Sequence, residues 1–549
     1  MNDNCEQTAE QPFETSIKTG KAEFDTLYAR VKSFLERDTL EMAIDGKVVR
    51  GYRSPDARSV WIRDYSDMMR GFKYFEKDLT STVEHFAETQ AESGRIFDYF
   101  TTFPEKLPSE RENWTKYVRV PVEADVEYRF VKAAYLAWQC FGDDAWIERL
   151  LPKLERALSY IVEHPWYWDA ERGLVKRPYT IDTWDFAYTA GAHEWLQFQI
   201  DERTFFGIMH GDNSGYYEAF RIMARLCDRL GRPKRAVVWE RRAQRLREAM
   251  NAVCWNGRFY THFVKLSDVT IPGVDEAEQL SLSNPMDINR GATSHEQAVA
   301  IIEEYRRRWR RTGSFAEWYS IDPPFPAGVF GDDKLVEGAY VNGGVLPLVG
   351  GELARAAFEH GFERYGVDIL RRYHIMIAAE GESYLWYFPD GRAASVETST
   401  SPDAEPTDGW GSSAMLYALI EGLAGVEDRG ARFDALRLSP RWIAAGVDAA
   451  EVTVGYRCSG VSVGYTFRLE GAERIVLDVR RGSGEGGGDS AAEVKVAFHV
   501  LLPEGARAKA VSIAGSGPTT HRNVMVEQSP YADFEVSIGG PPRVEIELG

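Results

Sequence analysis

The chain has 549 residues, of which 27% are charged and 44% apolar. These fractions are average for soluble globular proteins, so they exclude a disordered chain and supply enough apolar material for a large core. Sixty-five Lys and Arg against 84 Asp and Glu leave a formal charge of −19, which repels polyphosphates and argues against a nucleic acid or an anionic membrane as the main partner.

Residues 1–21, opening MNDNCEQTAEQPFETS, are polar and acidic with no apolar h-region. They are expected to form a tail without a secretory signal. No run of 18 apolar residues occurs, which predicts no membrane-spanning helix. Five cysteines, at 5, 140, 227, 254 and 458, form no CxxC pair and no metal-ligand spacing. The sparse, odd count suits a reducing compartment. The expected location is the cytoplasm, with no metal and no cofactor.

Residues 22–428 read as helical. In the segment 122–140, Val126, Phe130, Ala133, Ala137 and Cys140 step by four and three, as do Tyr217, Phe220, Ala224 and Cys227 in the segment 214–231. Each set marks one apolar helix face, and Gly231-Arg-Pro marks a stop. Long aromatic-rich loops separate the helices, and long loops inside a compact domain are usually functional. Fourteen of the 15 tryptophans lie at or before Trp410; only Trp442 follows.

Residues 429–549 change period. Val452, Val454, Tyr456 and Cys458 alternate, then Val461, Val463, Tyr465, Phe467 and Leu469, with Ser459–Gly460 as a hairpin turn. Val494, Val496, Phe498 and Val500 repeat the pattern. A small antiparallel β-sandwich is expected. GVSVG at 460–464 fits a nucleophile-elbow pattern, but it falls within a strand alternation where that motif needs a strand-to-helix turn. GSGEGGG at 482–488 has no following helix and reads as a hairpin loop.

Three segments of the helical part concentrate Trp with charge. In SVWIRDYSD, Arg63 and Asp64 precede a helix built on Met68, Met69, Phe72 and Phe75. A guanidinium beside a carboxylate can clamp a sugar diol, which offers donors and acceptors together. The alternative is a helix cap or a structural ion pair. In YTIDTWDF, Asp182, Trp184 and Asp185 share a loop. Indole disfavours the ionised carboxylate beside it, which suits a general acid; the alternative is loop capping. Glu397 stands in a polar loop where a solvated carboxylate keeps its charge and can activate water. Asp403, Glu405 and Asp408 read as solvated turn residues. Two carboxylates from distant loops are what glycoside hydrolysis needs, one as proton donor and one as base or nucleophile.

These segments resemble the six-hairpin glycosidase superfamily, whose catalytic domain is an (α/α)₆ toroid, without close likeness to any one member. The resemblance is spread over residues 50–425. VWIRDYSD is similar to the W-x-R-D segment of glucoamylases and the I-R-D-F segment of neutral invertases. It places the sugar-holding role on Arg63 and Asp64, beside Trp61. IDTWDF resembles the D-L-W-E and G-W-D-F segments of glucoamylases and trehalases. It implies that Asp185 is the general acid, with Asp182 positioning the acid or a sugar hydroxyl and Trp184 flanking it against the substrate. The Y-x-N-G-G likeness at 340–344 implies that Tyr340 and Asn342 border the pocket. ETSTSPDAEPTDGW resembles the processing α-glucosidase segment that opens on the catalytic base, which points to Glu397, with Trp410 flanking it; the gap here is shorter.

The resemblance therefore implies an exo-acting glycoside hydrolase on a terminal neutral sugar. Inversion requires carboxyls roughly 6.5–9.5 Å apart, and a separation near about 5 Å makes a retaining nucleophile the better reading. The expected partner is a carbohydrate substrate, with oligomeric state open. Two alternatives stand. One is a disaccharide phosphorylase on the same fold, with Thr398, Ser399 and Thr400 beside an anion. The other is a non-catalytic sugar-binding protein. An epimerase would need a histidine, and His210 is the loop histidine to examine.

Overall fold

The computed structural model describes residues 14–55, 57–102, 116–184, 186, 188, 200–330, 333–398, 406–483, 494–514, 517–538 and 542–549. The helices in chain order are α1 (Ala22–Asp25), α2 (Leu27–Arg37), α3 (Ile62–Phe72), α4 (Ser81–Glu88), α5 (Val126–Phe141), α6 (Asp144–Glu163) and α7 (His210–Arg229). They continue with α8 (Pro233–Cys254), α9 (Ser283–Asn289), α10 (His295–Thr312), α11 (Pro347–Glu359), α12 (Glu363–Glu380) and α13 (Gly409–Tyr417).

Six of these close a ring, in which α3 packs on α5, α5 on α7, α7 on α9, α9 on α11, α11 on α13, and α13 back on α3. The other long helices alternate with them in the chain and lie outside. The ring is an (α/α)₆ toroid, and the alternation makes its inner helices parallel. Burial separates the two sets. All eleven residues of α3 are buried, and twelve of thirteen in α11. Only five of the 22 residues of α8 are buried, the single apolar stripe of an outer helix. The inner helices approach closely because small residues face each other. A Cβ on Gly351 of α11 would stand 2.4 Å from the Ala414 carbonyl carbon of α13.

The charged inner helix α3 survives burial because its charges are paired. Arg129 of α5 donates to Asp67 at 2.5 Å, and Arg70 pairs with Glu352 of α11. Buried charges persist only when partnered in this way.

The C-terminal part is a two-sheet β domain. One sheet orders strands 16–18, 449–456, 461–470, 474–483, 543–548, 508–513 and 517–519; the other orders 426–428, 435–438, 494–501, 529–538 and 522–526. The expected hairpin is present, with Tyr456 opposite Val461. Pairing is antiparallel except where 435–438 runs parallel to 494–501. Residues 16–18 fall in the span expected to be a polar tail, yet they form an edge strand of the larger sheet, with Ile17 opposite Val452. Gly455 N–H donates to Thr15 Oγ1 at 3.0 Å. Ile17, buried in the sandwich, supplies the apolar contact that the surrounding polar sequence conceals. Strand 426–428 likewise begins the smaller sheet just before residue 429.

Among the described residues no helix is long and apolar enough to cross a membrane. No group of three or more His, Cys, Asp or Glu among them could hold a metal ion.

Candidate functional site

Because the inner helices are parallel, their six N-termini meet at one end of the ring. Each carries the positive end of a helix dipole, which favours carboxylates there. Asp64 lies in the first turn of α3, Asp125 and Asp408 are the N-cap residues of α5 and α13, and Asp212 lies in the first turn of α7.

Asp64 is buried and pairs with Arg53, which follows strand 47–52. Arg63 points elsewhere. Its Nε and Nη2 form a bidentate bond with Asp125, both contacts at 2.8 Å, and it also pairs with Glu123. Asp64 thus pairs with Arg53 rather than with its sequence neighbour Arg63. Neighbouring residues on a helix do not face each other, and here the two side chains leave α3 toward different partners. Arg53 has 22% of its side chain exposed and lies 5.8 Å from the Trp61 ring centre. Trp61 in turn packs on Tyr99 at 4.1 Å.

Asp408, expected as a solvated turn residue, is buried. It caps α13 by accepting the Trp410 N–H at 2.5 Å, and its other oxygen stands 3.8 Å from Arg53. Burial raises its pKa to about 6 against the lowering effect of Arg53. Asp38, at the end of α2, is held well above the usual carboxylate range by burial and then by Asp408. Arg53 is thus shared by Asp64 and Asp408, with Asp38 behind.

Aromatic rings line the same end. Trp184 donates its indole N–H to the Tyr340 hydroxyl at 2.9 Å. Its ring meets Tyr340 edge-on at 5.8 Å and Trp410 at 6.0 Å. Tyr340 also faces Trp386 at 6.3 Å and Phe186 at 6.3 Å. Trp410 donates its indole N–H to Asp67 at 3.2 Å. Rings held by their polar tips present flat apolar faces, the surface on which sugar C–H groups stack.

Two residues of this region occupy the left-handed backbone region that favours glycine, Asp182 at φ +47° and Tyr340 at φ +42°. Such strain persists only where surroundings over-determine it. Asp182 accepts the Ser283 hydroxyl at 2.6 Å, and its own N–H donates to His262 Nε2 at 2.8 Å. Burial lowers the His262 pKa to about 4, which keeps that nitrogen an acceptor. Burial opposes the Asp182 charge, but His210, His262 and two serines outweigh it and lower its pKa. Asp182 is fully buried and shapes the loop that presents Trp184. The Tyr340 carbonyl accepts the Ser320 hydroxyl at 2.8 Å. A Cβ on Gly344 would stand 2.5 Å from that same carbonyl oxygen, which accounts for the second glycine of the motif.

The remaining expected residues divide as follows. Asp185 lies outside the described residues, as do Ser399, Thr400, Asp403 and Glu405. Glu397 sits on an exposed 3₁₀ turn, Val396–Thr398. A hydrogen bond from Ser395, then the turn's own backbone, lowers its pKa. Asn342 is a brace. Its amide accepts from Phe325 N–H at 2.8 Å and donates to the carbonyls of Phe325 and Leu335, each at 2.9 Å. His210 is fully buried between Asp287 at 2.5 Å and Ser281 at 3.1 Å, an arrangement that ties α7 to α9. Sequence reasoning overlooked Arg53, Asp38 and Asp212. Asp212 faces Arg177 at 3.4 Å, and burial raises its pKa to about 6. None of the three stands beside a tryptophan in the sequence, so the Trp-plus-charge signal passed over them.

No protein-family model and no curated protein sequence matches the chain. Solved structures do. The chain is 12% identical to the Streptomyces avermitilis α-L-rhamnosidase complexed with L-rhamnose, over 98% of this chain and 42% of that one, with a TM-score of 0.59. It is 17% identical to the GH78 family rhamnosidase of Bacillus sp. GL1, over 90% of this chain and 43% of that one, with a TM-score of 0.56. It is 14% identical to the GH63 mannosylglycerate hydrolase of Thermus thermophilus in complex with glucose, over 72% of this chain and 99% of that one, with a TM-score of 0.50. The chain spans less than half the length of these two rhamnosidases. At these identities the likeness is one of fold. The toroid with its C-terminal β domain is the fold shared with these structures, and no single close family stands out.

Proposed function

We propose that the chain is a glycoside hydrolase acting exo on a terminal neutral sugar, at the end of the toroid where the inner-helix N-termini meet. The observation that carries this reading is the juxtaposition there of an Arg53–Asp64 pair, a second buried carboxylate at Asp408, and rings from Trp184, Tyr340, Trp386 and Trp410. A charge pair for hydroxyls beside flat apolar faces suits a sugar ring. The acidic surface, −19 overall, favours a neutral substrate over an anionic polymer.

Asp185, which follows Trp184 in the sequence, is the general acid. For the second carboxylate the geometry favours Asp408. It is fixed by the Trp410 N–H and by Arg53, and a pKa near neutrality suits a base at work there. It would draw a proton from water on the face opposite the acid, giving inversion. Glu397 is the second reading, on the strength of its motif and its persistent charge. No metal or cofactor is required by either.

A panel of aryl glycosides and natural oligosaccharides tests the proposal, with the product anomer read by NMR, with and without phosphate. Release of free sugar in both conditions supports hydrolysis. Release of sugar phosphate only when phosphate is present would support a phosphorylase. Sugar affinity with no turnover across the panel would leave a binding protein.

A further inference from the structure

We infer that the axis of the toroid, below the floor of the proposed site, holds a binding site for one small inorganic monoanion. A cavity of about 330 Å³ runs along this axis, and all six inner helices contribute to its wall. Its upper edge is Asp67, whose carboxylate accepts Trp410 Nε1 and Arg129, so the cavity begins where the aromatic floor ends. Its lower end reaches residues 427–429, the start of the β domain, where Arg429 is half exposed.

The wall has donors left over. Arg70 gives one amino group to Glu352 and its Nε to the Asp67 carbonyl at 3.1 Å. Its other amino group, Nη2, has no hydrogen-bond partner among the described residues, and its nearest ion-pair oxygen on Asp67 is 3.8 Å away. Arg290 spends its two amino groups on Gly211, Ser214 and Tyr128. Its Nε is likewise unpartnered among the described residues, 3.8 Å from Glu218. Both side chains are more than nine-tenths buried, at 6% and 4% exposure. A contact of 3.8 Å is too long for a hydrogen bond, and a buried guanidinium N–H without an acceptor is costly. Lys132 reaches the same space, bonded to Glu218 at 3.0 Å. Burial lowers its pKa, and Arg70 and Arg290 lower it further, against Glu218.

The size of the charge follows from the wall as a whole. Among the described residues, seven Lys and Arg line it against six carboxyls. One of those carboxyls, Asp428, is pushed up to about 7 by burial, so the lining carries a positive excess at neutral pH. Asp67, Glu218 and Glu352 stand close enough to repel a dianion. A compact monoanion such as a halide takes the free N–H groups of Arg70 and Arg290 without that penalty.

The wild-type protein tests this without substitution. Crystals equilibrated with sodium bromide are expected to give an anomalous peak in the axial cavity within hydrogen-bonding reach of Arg70 Nη2 and Arg290 Nε. In melts at matched ionic strength, bromide is expected to raise Tm by several degrees more than fluoride, which gives up its hydration shell far less readily on entering a buried site. Bromide found only on the protein surface, or ordered water alone in the cavity, would overturn the inference. Neither outcome bears on the hydrolytic reading of the opposite end.

Discussion

Arg53 and Asp64 form the ion pair at the open end of the ring, while the sequence neighbour of Asp64, Arg63, is drawn away into a bidentate bond with Asp125. The two arginines are therefore expected to behave oppositely on substitution. Arg53→Gln keeps the fold, because the side chain is partly exposed, and lowers kcat/KM by about 10²-fold through loss of sugar positioning. Arg63→Gln leaves Asp125 and Glu123 buried without their main cation, and is expected to cost about 3–5 kcal/mol of stability. Urea denaturation and steady-state kinetics on both variants check this. A stable Arg63→Gln with reduced activity, beside a fully active Arg53→Gln, would restore the clamp expected from sequence.

Tyr340 and Asn342 share a motif but divide its work. Asn342→Ala strands three buried backbone groups of Phe325 and Leu335. At about 1–3 kcal/mol for each unsatisfied group, softened by relaxation, a loss of about 2–4 kcal/mol is expected in denaturant titration. Tyr340→Phe removes the hydroxyl that accepts the Trp184 Nε1–H. It should cost about 1 kcal/mol or less in stability while lowering kcat/KM. Equal destabilisation by the two variants would contradict this division.

Asp408 gives a pH signature. Its folded pKa, raised to about 6 by burial, lies above the unfolded value of about 3.9. The folded state therefore holds the proton more tightly, and this contribution is full below about pH 4 and lost as pH rises through about 6. Asn caps a helix as well as Asp, so Asp408→Asn should fold. Its stability relative to wild type is expected to rise across that window, by up to about 1.4 kcal/mol per pH unit. A constant difference from pH 4 to pH 7 would argue against the raised pKa. As the proposed base, Asp408→Asn should also lose on the order of 10²–10⁴-fold in kcat, whereas Glu397→Gln stays within about threefold. The reverse pattern would move the base to Glu397.

The architecture was legible because periodicity reports burial. The four-and-three spacing of Val126, Phe130 and Ala133 became α5, and the alternation from Val452 became the sandwich strand. Gly231 ends its helix region in a left-handed turn at φ +69°. The site was legible only in part. Trp184, Tyr340, Trp410 and Asp64 do gather at one end of the ring, because tryptophan beside charge is unusual enough to stand out. Partners were not legible, since pairing depends on which way a side chain leaves its helix. Arg53 is 11 residues from Asp64 in sequence, and Asp38 and Asp408 meet only when α13 closes on α2 and α3. Ile17 was hidden for a related reason. One apolar residue in a polar stretch carries no period, yet it suffices for an edge strand once a sheet is there to receive it.

The central claim is that this end of the toroid cleaves glycosides with Asp185 as proton donor. The most direct test compares wild type with Asp185→Asn on two glycosides of one accepted sugar, one with an unactivated sugar aglycone and one with 2,4-dinitrophenol. A general acid matters only where the leaving oxygen needs a proton. A loss of about 10³-fold or more is expected on the unactivated glycoside and less than about tenfold on the dinitrophenyl one. Wild-type turnover of the unactivated substrate by the variant, or an equal loss on both, would contradict it.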